Sequence, residues 1–307
     1  MIPTQPIDLV SSIQQLNVLA VGHVTHDRYG DSLVAGGCAY FGAKVASSLG
    51  AKVDLLTAVG DDFELDSSLE GLSVNLKRAG QTTVFTNLYP ENAPRLQIVE
   101  TQAPTIHLDQ WTDNKIFDVL FLAPVMGELD LREPWTQQIK ARYQTMTLQG
   151  LMKCGQESND ETLRSQGKRI VVKVPNRLDF SILKGLDAVF LSDEDLLLFG
   201  DDRFLTDLTA VVPLVYVTQG EKGCLIYQNG KVINQNLIYR TENVVDTTGA
   251  GDTFAMATSL ALACGLSVQD AALLGACASS VMIEGIGSLP MNRLKEAFDR
   301  FRFLMKI

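Results

Sequence analysis

Residues 246–252 are the stretch whose residue types and spacing could carry chemistry, with the sequence Asp-Thr-Thr-Gly-Ala-Gly-Asp. A β-prone pair precedes them, and an alanine-rich helical pattern follows over about 250–264. The small residues Gly249, Ala250 and Gly251 let a ligand approach the backbone closely. Because the first N–H groups of a helix lack intrahelical partners and its dipole favours negative charge, the sequence predicts a phosphate site here.

Asp252 lies in the first turn of the same predicted helix. A phosphate site beside a carboxylate is what phosphoryl transfer to an alcohol requires, because the N–H groups stabilise developing negative charge and the carboxylate accepts the hydroxyl proton. The alternative is an ordinary first-turn aspartate beside a tight glycine turn. The residue types alone leave these two interpretations about equally open.

The run 246–252 resembles the C-terminal signature of the ribokinase-like sugar kinases, the phosphofructokinase-B family. Two further runs match the family in the family's order. Residues 36–39 (Gly-Gly-Cys-Ala) open a helix that leads into a strand ending at 60–62 (Gly-Asp-Asp), similar to the family's N-terminal pattern. Residues 217–223 (Val-Thr-Gln-Gly-Glu-Lys-Gly) resemble its nucleotide-phosphate turn. Together the matches span most of the 307 residues.

The resemblance implies an ATP-dependent kinase that phosphorylates a hydroxyl of a small sugar or cyclitol, with Mg²⁺ bridging the nucleotide phosphates. It assigns the general base to Asp252 and the anion hole to the N–H groups of residues 249–251. Asp27 matches the polyol-binding aspartate, although a solvated loop aspartate is the alternative. Gly36 and Gly37 would permit close approach of the substrate at the helix start.

Phe41 departs from the family pattern, in which Gly-Gly-x-x-x-Asn often supplies an amide to the sugar. With Tyr40 beside it, Phe41 predicts a more apolar substrate wall, closer to the inositol-kinase members than to the ribokinases. Both aromatic side chains fit a helix core equally well.

Two segments are assigned to the nucleotide by resemblance. Thr218, Gly220 and Gly223 offer a hydroxyl and a flexible turn for phosphate oxygens, although the same pattern is common in hairpin turns. Ser192 and Asp195 stand where the family commonly shows Asn-x-x-Glu, which is tied to magnesium and phosphate. A capped helix start with acids in its first turn explains these two residues equally well.

Asp246 and Thr248 resemble positions that hold a monovalent cation such as K⁺ in some family members. The segment 285–290, which contains Ser288, resembles the loop that closes over that ion and the adenine. These assignments complete the cofactor set implied by the resemblance, which is ATP, Mg²⁺ and a K⁺ site.

Other chemistries fit the sequence less well. Phe254 stands where the dinucleotide pattern G-x-G-x-x-G needs its third glycine, and Ala43 occupies the lysine position of a Walker A-like run. His23, His26 and Asp27 follow a strand and loop rather than one helix face, which disfavours a metal cluster.

Composition indicates a soluble, cytoplasmic protein. Hydrophobic residues make up 46% of the chain, charged residues 20%, and the net charge is −10, which disfavours a nucleic-acid partner. The five cysteines form no C-x-x-C pair, and the start lacks a signal-peptide pattern. The apolar segments 253–264 and 271–283 are shorter than the roughly 20 residues of a membrane span. We therefore expect small-molecule polyol and nucleotide partners, no membrane partner, and a monomer or homodimer.

Buried strands and helices alternate along the chain. The predicted strands are residues 18–22, 53–59, 119–122, 170–174, 188–191 and 214–218. Helical patterns between them include 38–49, 134–143 and 194–199. This alternation predicts an α/β fold with a mostly parallel central sheet covered on both faces, the three-layer ribokinase-like arrangement.

One region departs from the alternation. β-prone segments on both sides of the turn at 89–94 predict a hairpin. Only eight residues separate Asp27 from Gly36, too few for the lid strands that relatives carry there. We expect a single ribokinase-like domain over 1–307, with a short β-hairpin flap at about 82–101 as a minimal lid.

Two other functions stay open at this stage. A nucleoside kinase of the same family is favoured by the small lid and by Phe41, which leave room for a base. A non-catalytic sugar- or nucleotide-binding regulatory protein is favoured by the altered pair Ser192 and Asp195. The intact run 246–252 disfavours the second of these.

Overall fold

The computed structural model describes residues 8–78, 80–88, 96–111, 113–131, 135, 138–174, 178–197, 202–234 and 238–306. Its helices are α1 (Leu9–Gln15), α2 (Cys38–Leu49), α3 (Leu65–Ser68), α4 (Glu161–Ser165), α5 (Asp193–Leu197), α6 (Asp202–Val211), α7 (Ala250–Ala263), α8 (Val268–Met282) and α9 (Glu296–Met305). Its strands are β1 (Asn17–Val21), β2 (Thr25–Tyr29), β3 (Ser32–Gly36), β4 (Lys52–Val59), β5 (Ser73–Arg78), β6 (Thr83–Leu88), β7 (Leu96–Thr101), β8 (Ile106–His107), β9 (Ile116–Leu122), β10 (Leu129–Asp130), β11 (Lys140–Thr147), β12 (Lys153–Glu157), β13 (Arg169–Lys173), β14 (Ala188–Ser192), β15 (Leu214–Thr218), β16 (Cys224–Gln228) and β17 (Lys231–Asn234).

The large sheet has nine strands in the order β17-β16-β15-β14-β11-β9-β1-β4-β5. The pairings from β15 through β5 are parallel, whereas β16 and β17 add an antiparallel edge. The predicted mostly parallel central sheet is therefore confirmed. Its strands are apolar and buried because helices connect parallel strands across both faces of such a sheet.

Strand β1 shows that both faces are covered. Val18 and Ala20 pack into one hydrophobic core, together with α2, α7, α8 and α9. Leu19 and Val21 point the other way into a second core that includes Phe204 of α6. Since side chains alternate across a strand, this arrangement makes three layers, as the sequence predicts.

The second sheet is larger than the predicted flap. It has six strands in the order β12-β13-β7-β6-β2-β3. The predicted pairing within 82–101 is present between β6 and β7, while the turn at 89–94 lies outside the described residues. The expectation of a minimal lid is corrected, because β2 and β3 form a hairpin between Asp27 and Gly36. A tight turn at Gly30 (φ 60°) needs two residues, so eight residues suffice for a returning strand.

Two predicted elements of the central sheet are also corrected. The strand predicted at 170–174 exists as β13, but it pairs antiparallel with β12 and β7 in the second sheet. The helix predicted at 134–143 gives way to β11, which lies between β9 and β14, and residues 132–134 and 136–137 are outside the described residues. Parallel pairing on both sides of β11 outweighs its weak helical periodicity.

Candidate active site

A cleft of about 720 Å³ lies between the two sheets and the start of α7. Thr147, Ser192 and Thr218 line it, and each is the last residue of a parallel strand (β11, β14 and β15). From the second sheet, Asp27 and Phe85 line the opposite side. In open α/β sheets, ligands bind beyond the carboxyl ends of the strands, so the cleft has the expected position for a substrate site.

Gly249 shapes the start of α7. It adopts the left-handed conformation (φ 75°) immediately before the helix. A Cβ atom at this position would lie 2.5 Å from the ring of Phe41, so only glycine fits. Phe41 lines the cleft as predicted, but it is 4% exposed and packs in the core of α2 beneath the turn. Its side chain therefore supports the helix tip as well as forming part of the cleft wall.

The helix tip offers fewer N–H groups than the sequence suggests. The Ala250 N–H donates to the Thr247 carbonyl oxygen at 3.2 Å, and Ala250 does not line the cleft. Gly249 and Gly251 do line it. A Cβ atom at Gly251 would meet open space, so the backbone there is accessible to a ligand. An anion bound at this helix tip would therefore meet the backbone of Gly249 and Gly251.

Asp252 lies in the cleft beside this tip and is partly buried. Burial raises the pKa of its carboxyl group to about 6, while the hydrogen bond from the Cys38 thiol and the positive charge of Lys153 act in the opposite direction. Burial, together with the negative charge of Asp252, also raises the pKa of the Cys38 thiol well above its ordinary value, so the thiol keeps its proton as a donor. A carboxylate with a pKa near 6 is ionised at neutral pH and still basic enough to accept a proton.

Asp27 faces the same cleft from β2. A Cβ atom at Gly36 would lie 2.5 Å from the Asp27 Oδ2 atom, so Gly36 makes room for this carboxylate rather than lining the cleft itself. Gly37 lines the cleft with φ 95°, a conformation that favours glycine. Of the predicted acceptor residues, the structure therefore brings Asp27, Gly37 and Phe41 to one cleft with Asp252, and Gly36 lies behind Asp27.

Four polar side chains of the cleft escaped sequence reasoning. Asn87 and Gln97 are cross-strand partners, with the Gln97 Nε2 atom donating to the Asn87 Oδ1 atom at 3.1 Å. The hydroxyls of Thr25 and Thr147 are buried and have no hydrogen-bond partner within the described part of the chain. A buried hydroxyl without a partner is costly and indicates a bound molecule or water. No local pattern marks these residues, because strand pairing in the second sheet brings Thr25, Asn87 and Gln97 together, and Thr147 comes to the cleft from the end of β11 in the large sheet.

At the other end of the cleft, Thr218 and Gly220 occupy the predicted nucleotide turn. Gly223 (φ 93°) lies behind this turn, and its carbonyl oxygen accepts a hydrogen bond from the Gln219 N–H at 2.7 Å. The structure therefore places two of the three predicted turn residues against the cleft.

Ser192 and Asp195 line the cleft and also cap α5. The Asp195 N–H donates to the Ser192 Oγ atom at 3.1 Å. The carboxylate of Asp195, which is 3% exposed, forms an ion pair of 2.9 Å with the Nζ atom of Lys173. The capping role is therefore present, and the second sheet supplies a cation, Lys173, that no sequence pattern predicts.

Asp246 and Thr248 line the cleft, whereas Ser288 does not. The Asp246 carboxylate accepts hydrogen bonds from the Thr248 N–H (2.9 Å) and the Gly287 N–H (3.0 Å), which ties the two predicted cation-site segments together. Burial by itself would raise the pKa of the Asp246 carboxyl group. The hydrogen bonds from Gly287 and Thr248 together have the larger, opposite effect, so the pKa lies below its ordinary value. The Ser288 Oγ atom accepts a hydrogen bond of 3.3 Å from the Tyr40 hydroxyl.

The cleft is acidic. Its carboxylates are those of Asp27, Asp193, Glu194, Asp195, Asp246 and Asp252. Against these, Lys153 is the one lysine or arginine among the described lining residues. The described residues contain no group of three or more His, Cys, Asp or Glu side chains able to hold a metal by themselves. This donor set fits Mg²⁺ bound by one or two carboxylates and a substrate's phosphates, the way this ion is usually held.

Sequence comparison finds similarity to carbohydrate kinases. Residues 182–293 match the pfkB family carbohydrate kinase profile. The chain is 29% identical over 306 residues to the inositol 3-kinase of Arabidopsis thaliana, covering 94% of this chain and 81% of that protein. It is 27% identical over 255 residues to the cytidine kinase of Thermococcus kodakarensis, covering 78% and 86%.

Solved structures show the same fold. A pyrophosphate-dependent kinase in the ribokinase family, solved with a pyrophosphate analogue and myo-inositol, superposes with a TM-score of 0.72 at 17% identity, covering 93% of this chain and 100% of that one. The ribokinase of Thermotoga maritima superposes with a TM-score of 0.69 at 18% identity, covering 93% and 99%. The resemblance seen in the motifs and the ribokinase-like fold are therefore confirmed.

Among the described residues, no helix is long and apolar enough to cross a bilayer.

Proposed function

We propose that this chain, a ribokinase-like kinase that carries the pfkB family match, transfers a phosphoryl group from ATP to a hydroxyl of a small sugar or cyclitol. The observation that carries the proposal is the position of Asp252. Its carboxylate lies beside the tip of α7 in a cleft that Asp27 enters from the opposite sheet. An anion site, a base and an acceptor-binding carboxylate are the three parts this reaction needs.

In the proposed reaction, Asp27 accepts hydrogen bonds from acceptor hydroxyls and orients one of them toward Asp252. Asp252 accepts the proton of that hydroxyl as its oxygen bonds to the terminal phosphorus of ATP. The bond from this phosphorus to the bridging oxygen breaks, and ADP leaves. The N–H groups of Gly249 and Gly251 donate to the oxygens of the transferring group, where negative charge develops.

Asp193 and Glu194, which line the cleft at the start of α5, are the residues we expect to hold Mg²⁺ with the nucleotide phosphates. Held there, the ion would neutralise phosphate charge that the acidic cleft otherwise repels. Asp246 and Thr248 remain the proposed K⁺ site. We expect Asp195 to influence the nucleotide site indirectly, through its ion pair with Lys173.

ATP is favoured over pyrophosphate as the donor by an apolar surface at the cleft's open end. Val244 and Val245 line the cleft and are 58% and 57% exposed. Ile286, in a neighbouring segment, is 66% exposed. The Gly287 N–H next to it donates to the Asp246 carboxylate, which holds this segment beside Val244 and Val245. An adenine ring would cover this surface, whereas pyrophosphate would leave it in water.

A neutral polyol is favoured as the acceptor by the polar groups at the lid end. Asp27, Asn87 and Gln97 offer several hydrogen-bond acceptors and donors, and the Thr25 hydroxyl lacks a partner among the described residues. Alternating donors and acceptors around a small space match a ring that carries several hydroxyls. The match to an inositol 3-kinase supports the same class.

A nucleoside is the second candidate acceptor. The amide pair of Asn87 and Gln97 can also match the donor and acceptor edge of a base, and the Phe85 ring lies in the same part of the cleft. The match to a cytidine kinase supports this candidate.

A panel assay tests the proposal. Inositols, hexoses, pentoses and nucleosides are each incubated with ATP or pyrophosphate, and phosphorylated product is measured. We expect ATP-dependent product with a polyol. The variant Asp252→Asn should still bind that polyol but turn over about 10²–10⁴-fold more slowly, because the general base is lost.

Two results would refute the assignment. One is the absence of product with every acceptor and donor in the panel. The other is near-normal turnover by Asp252→Asn, which would remove the base from the mechanism.

A further inference from the structure

The ion pair of Lys173 with Asp195 joins the second sheet to the helix α5. Lys173 is the last residue of β13, and its Nζ atom lies 2.9 Å from the Asp195 Oδ1 atom. The two side chains are 29% and 4% exposed. Strand β14, which leads directly into α5, belongs to the large sheet. The pair therefore connects the two sheets beside the part of the cleft that Ser192 and Asp195 line.

Asp195 uses both of its carboxylate oxygens within the chain. While Oδ1 pairs with Lys173, Oδ2 accepts a hydrogen bond of 3.2 Å from the Ser192 N–H. In return, the Asp195 N–H donates to the Ser192 Oγ atom at 3.1 Å. This reciprocal arrangement is a capping box, which fixes the first turn of a helix. Asp195 thus holds the start of α5 in place.

Lys173 makes this buried position tolerable for a carboxylate. A charge withdrawn from water is costly unless an opposite charge faces it. The lysine is itself held firmly, because the N–H of the next residue, Val174, donates to the Met152 carbonyl oxygen at 2.6 Å. Without Lys173, the Asp195 carboxylate would have to turn toward water. The hydrogen bond from the Ser192 N–H would then be lost.

The turn fixed in this way contains the residues expected to hold Mg²⁺. Asp193 and Glu194 lie between the two halves of the capping box, and both line the cleft. Side chains that bind a metal depend on a supporting shell of hydrogen bonds for their orientation. Lys173 is not among the described residues that line the cleft, so its influence on this site passes through Asp195.

We propose that Lys173 is a positioning residue for the metal–nucleotide site. Through its ion pair with Asp195, it keeps the first turn of α5 in the orientation in which Asp193 and Glu194 bind Mg²⁺ together with the nucleotide phosphates. This inference rests on the proposed phosphotransferase function. It makes the metal site depend on the second sheet, which also carries Asp27.

Nucleotide binding measured by calorimetry tests the proposal without relying on turnover. β,γ-methylene ATP is titrated into the protein with and without MgCl₂, and the ratio of the two affinities is the gain from Mg²⁺. We expect Lys173→Met to reduce this gain about 10-fold, as the loss of a residue that supports metal ligands does. Its affinity without Mg²⁺ should equal that of the wild type, because Lys173 does not line the cleft.

Lys168→Met is the matched control. Lys168 is also 29% exposed and forms an ion pair of 3.5 Å with Glu100 of β7 in the second sheet, away from α5. Its removal should leave the gain from Mg²⁺ unchanged. Lys173→Arg should keep most of the gain, because a guanidinium group pairs well with a carboxylate. Lys173→Gln retains an N–H donor without the charge and should give a smaller loss, so the test remains possible if Lys173→Met does not fold.

A double-mutant cycle tests whether Lys173 acts through Asp195. In Asp195→Asn, an amide oxygen can still accept the Ser192 N–H, and no negative charge is buried. Adding Lys173→Met to this variant should change the gain from Mg²⁺ by less than about twofold, because the charge that Lys173 neutralises is already gone.

Each of four results would overturn the inference. Equal weakening with and without Mg²⁺ would show that Lys173 acts on the charge of the nucleotide. A larger gain in Lys173→Met would show that Asp195 itself binds the ion, and an unchanged gain would leave the pair a purely structural role. An undiminished effect of Lys173→Met in the Asp195→Asn background would exclude the route through Asp195.

Failure of the proposed function gives a different result. Wild-type protein that does not bind the ATP analogue, or that binds it without any gain from Mg²⁺, would refute the metal–nucleotide site itself, and the role of Lys173 with it. Each of the four results above requires a wild type that binds the analogue more tightly with Mg²⁺.

Discussion

At the scale of single residues, burial and nearby groups have opposite effects on the pKa of Asp252. Burial raises the pKa of its carboxyl group to about 6, and the Cys38 thiol and the Lys153 charge hold it below what burial alone would give. The outcome is a base that is ionised at neutral pH but basic enough to accept a hydroxyl proton. The helix start that makes the anion site also favours the ionised carboxylate.

The pH dependence of kcat/KM tests this balance. Asp252 must be deprotonated to act as a base, so activity should rise with pH through an apparent pKa near 6 and fall about tenfold per pH unit well below it. Cys38→Ala removes the hydrogen bond that lowers the pKa and should move this limb to higher pH. Cys38→Ser keeps a donor and should leave the limb close to that of the wild type. A limb near pH 4 in the wild type would contradict the burial of this carboxylate.

At the scale of elements, the contact between α2 and α7 sets the geometry of the helix tip that we propose as the anion site. Phe41 on α2 lies directly under Gly249, where a Cβ atom would approach its ring to 2.5 Å. The left-handed turn at Gly249 begins α7 and directs its tip into the cleft. The glycine is therefore required both for its backbone conformation and for the packing of the two helices.

Gly249→Ala should separate these two requirements when compared with Gly265→Ala. Gly265 follows the other end of α7 with φ 85°, but a Cβ atom there would meet nothing within 4 Å. We expect Gly265→Ala to cost about 1–2 kcal/mol of unfolding free energy from the backbone alone. Gly249→Ala should cost about 1–3 kcal/mol more from the clash with Phe41 and should also lower kcat. Urea denaturation and steady-state kinetics measure both, and equal costs would show that Phe41 moves aside.

At the scale of the whole molecule, the last helix stabilises the donor end of the cleft from behind. The Glu284 carboxylate, just after α8, accepts hydrogen bonds from Arg300 of α9 at 2.9 Å, from Arg293 at 3.0 Å and from the Thr241 hydroxyl. The carbonyl oxygen of the preceding residue, Ile283, accepts the Val245 N–H at 2.8 Å, so this cluster fixes the segment that lines the cleft. Burial alone would raise the pKa of Glu284, but these bonds outweigh it and lower the pKa.

Arg300→Met should therefore affect both stability and donor binding. We expect a loss of about 3 kcal/mol, because the side chains of Arg300 and Glu284 are only 13% and 8% exposed, and a higher KM for ATP. Arg302→Met on the same helix is the control, since its pair with Asp299 is exposed and should contribute at most about 1 kcal/mol.

The sign of the pH effect follows from the lowered pKa of Glu284. Its stabilisation is present above the unfolded value of about 4.5 and is lost as pH falls through the folded value. Denaturation curves of the wild type and Arg300→Met should thus converge below about pH 4.5. A gap that never narrows as the pH is lowered from 4.5 until the protein unfolds would assign the effect to packing of the arginine stem instead.

The sequence by itself determined the features that depend on neighbouring residues. The helix tip at 246–252, the strands β1, β4, β14 and β15 and the helix α2 all follow from glycine conformation and hydrophobic periodicity within short segments. The position of Asp252 in the first turn of α7 was sufficient to place it at the cleft. Asp27 also lines the cleft, but it does so from within β2, a strand that the sequence did not predict.

Only the tertiary structure decided which distant strands pair. Strand pairing adds β12 and β13 to the second sheet. The same pairing brings Lys153 near Asp252, which lies 99 positions later in the chain. β11 became a central strand for the same reason, since pairing on both sides outweighs local preference. The hydrogen bond from the Ala250 N–H to the Thr247 carbonyl oxygen is local, but it too became visible only in the structure, since a residue pattern does not show which donors of a turn are already bonded.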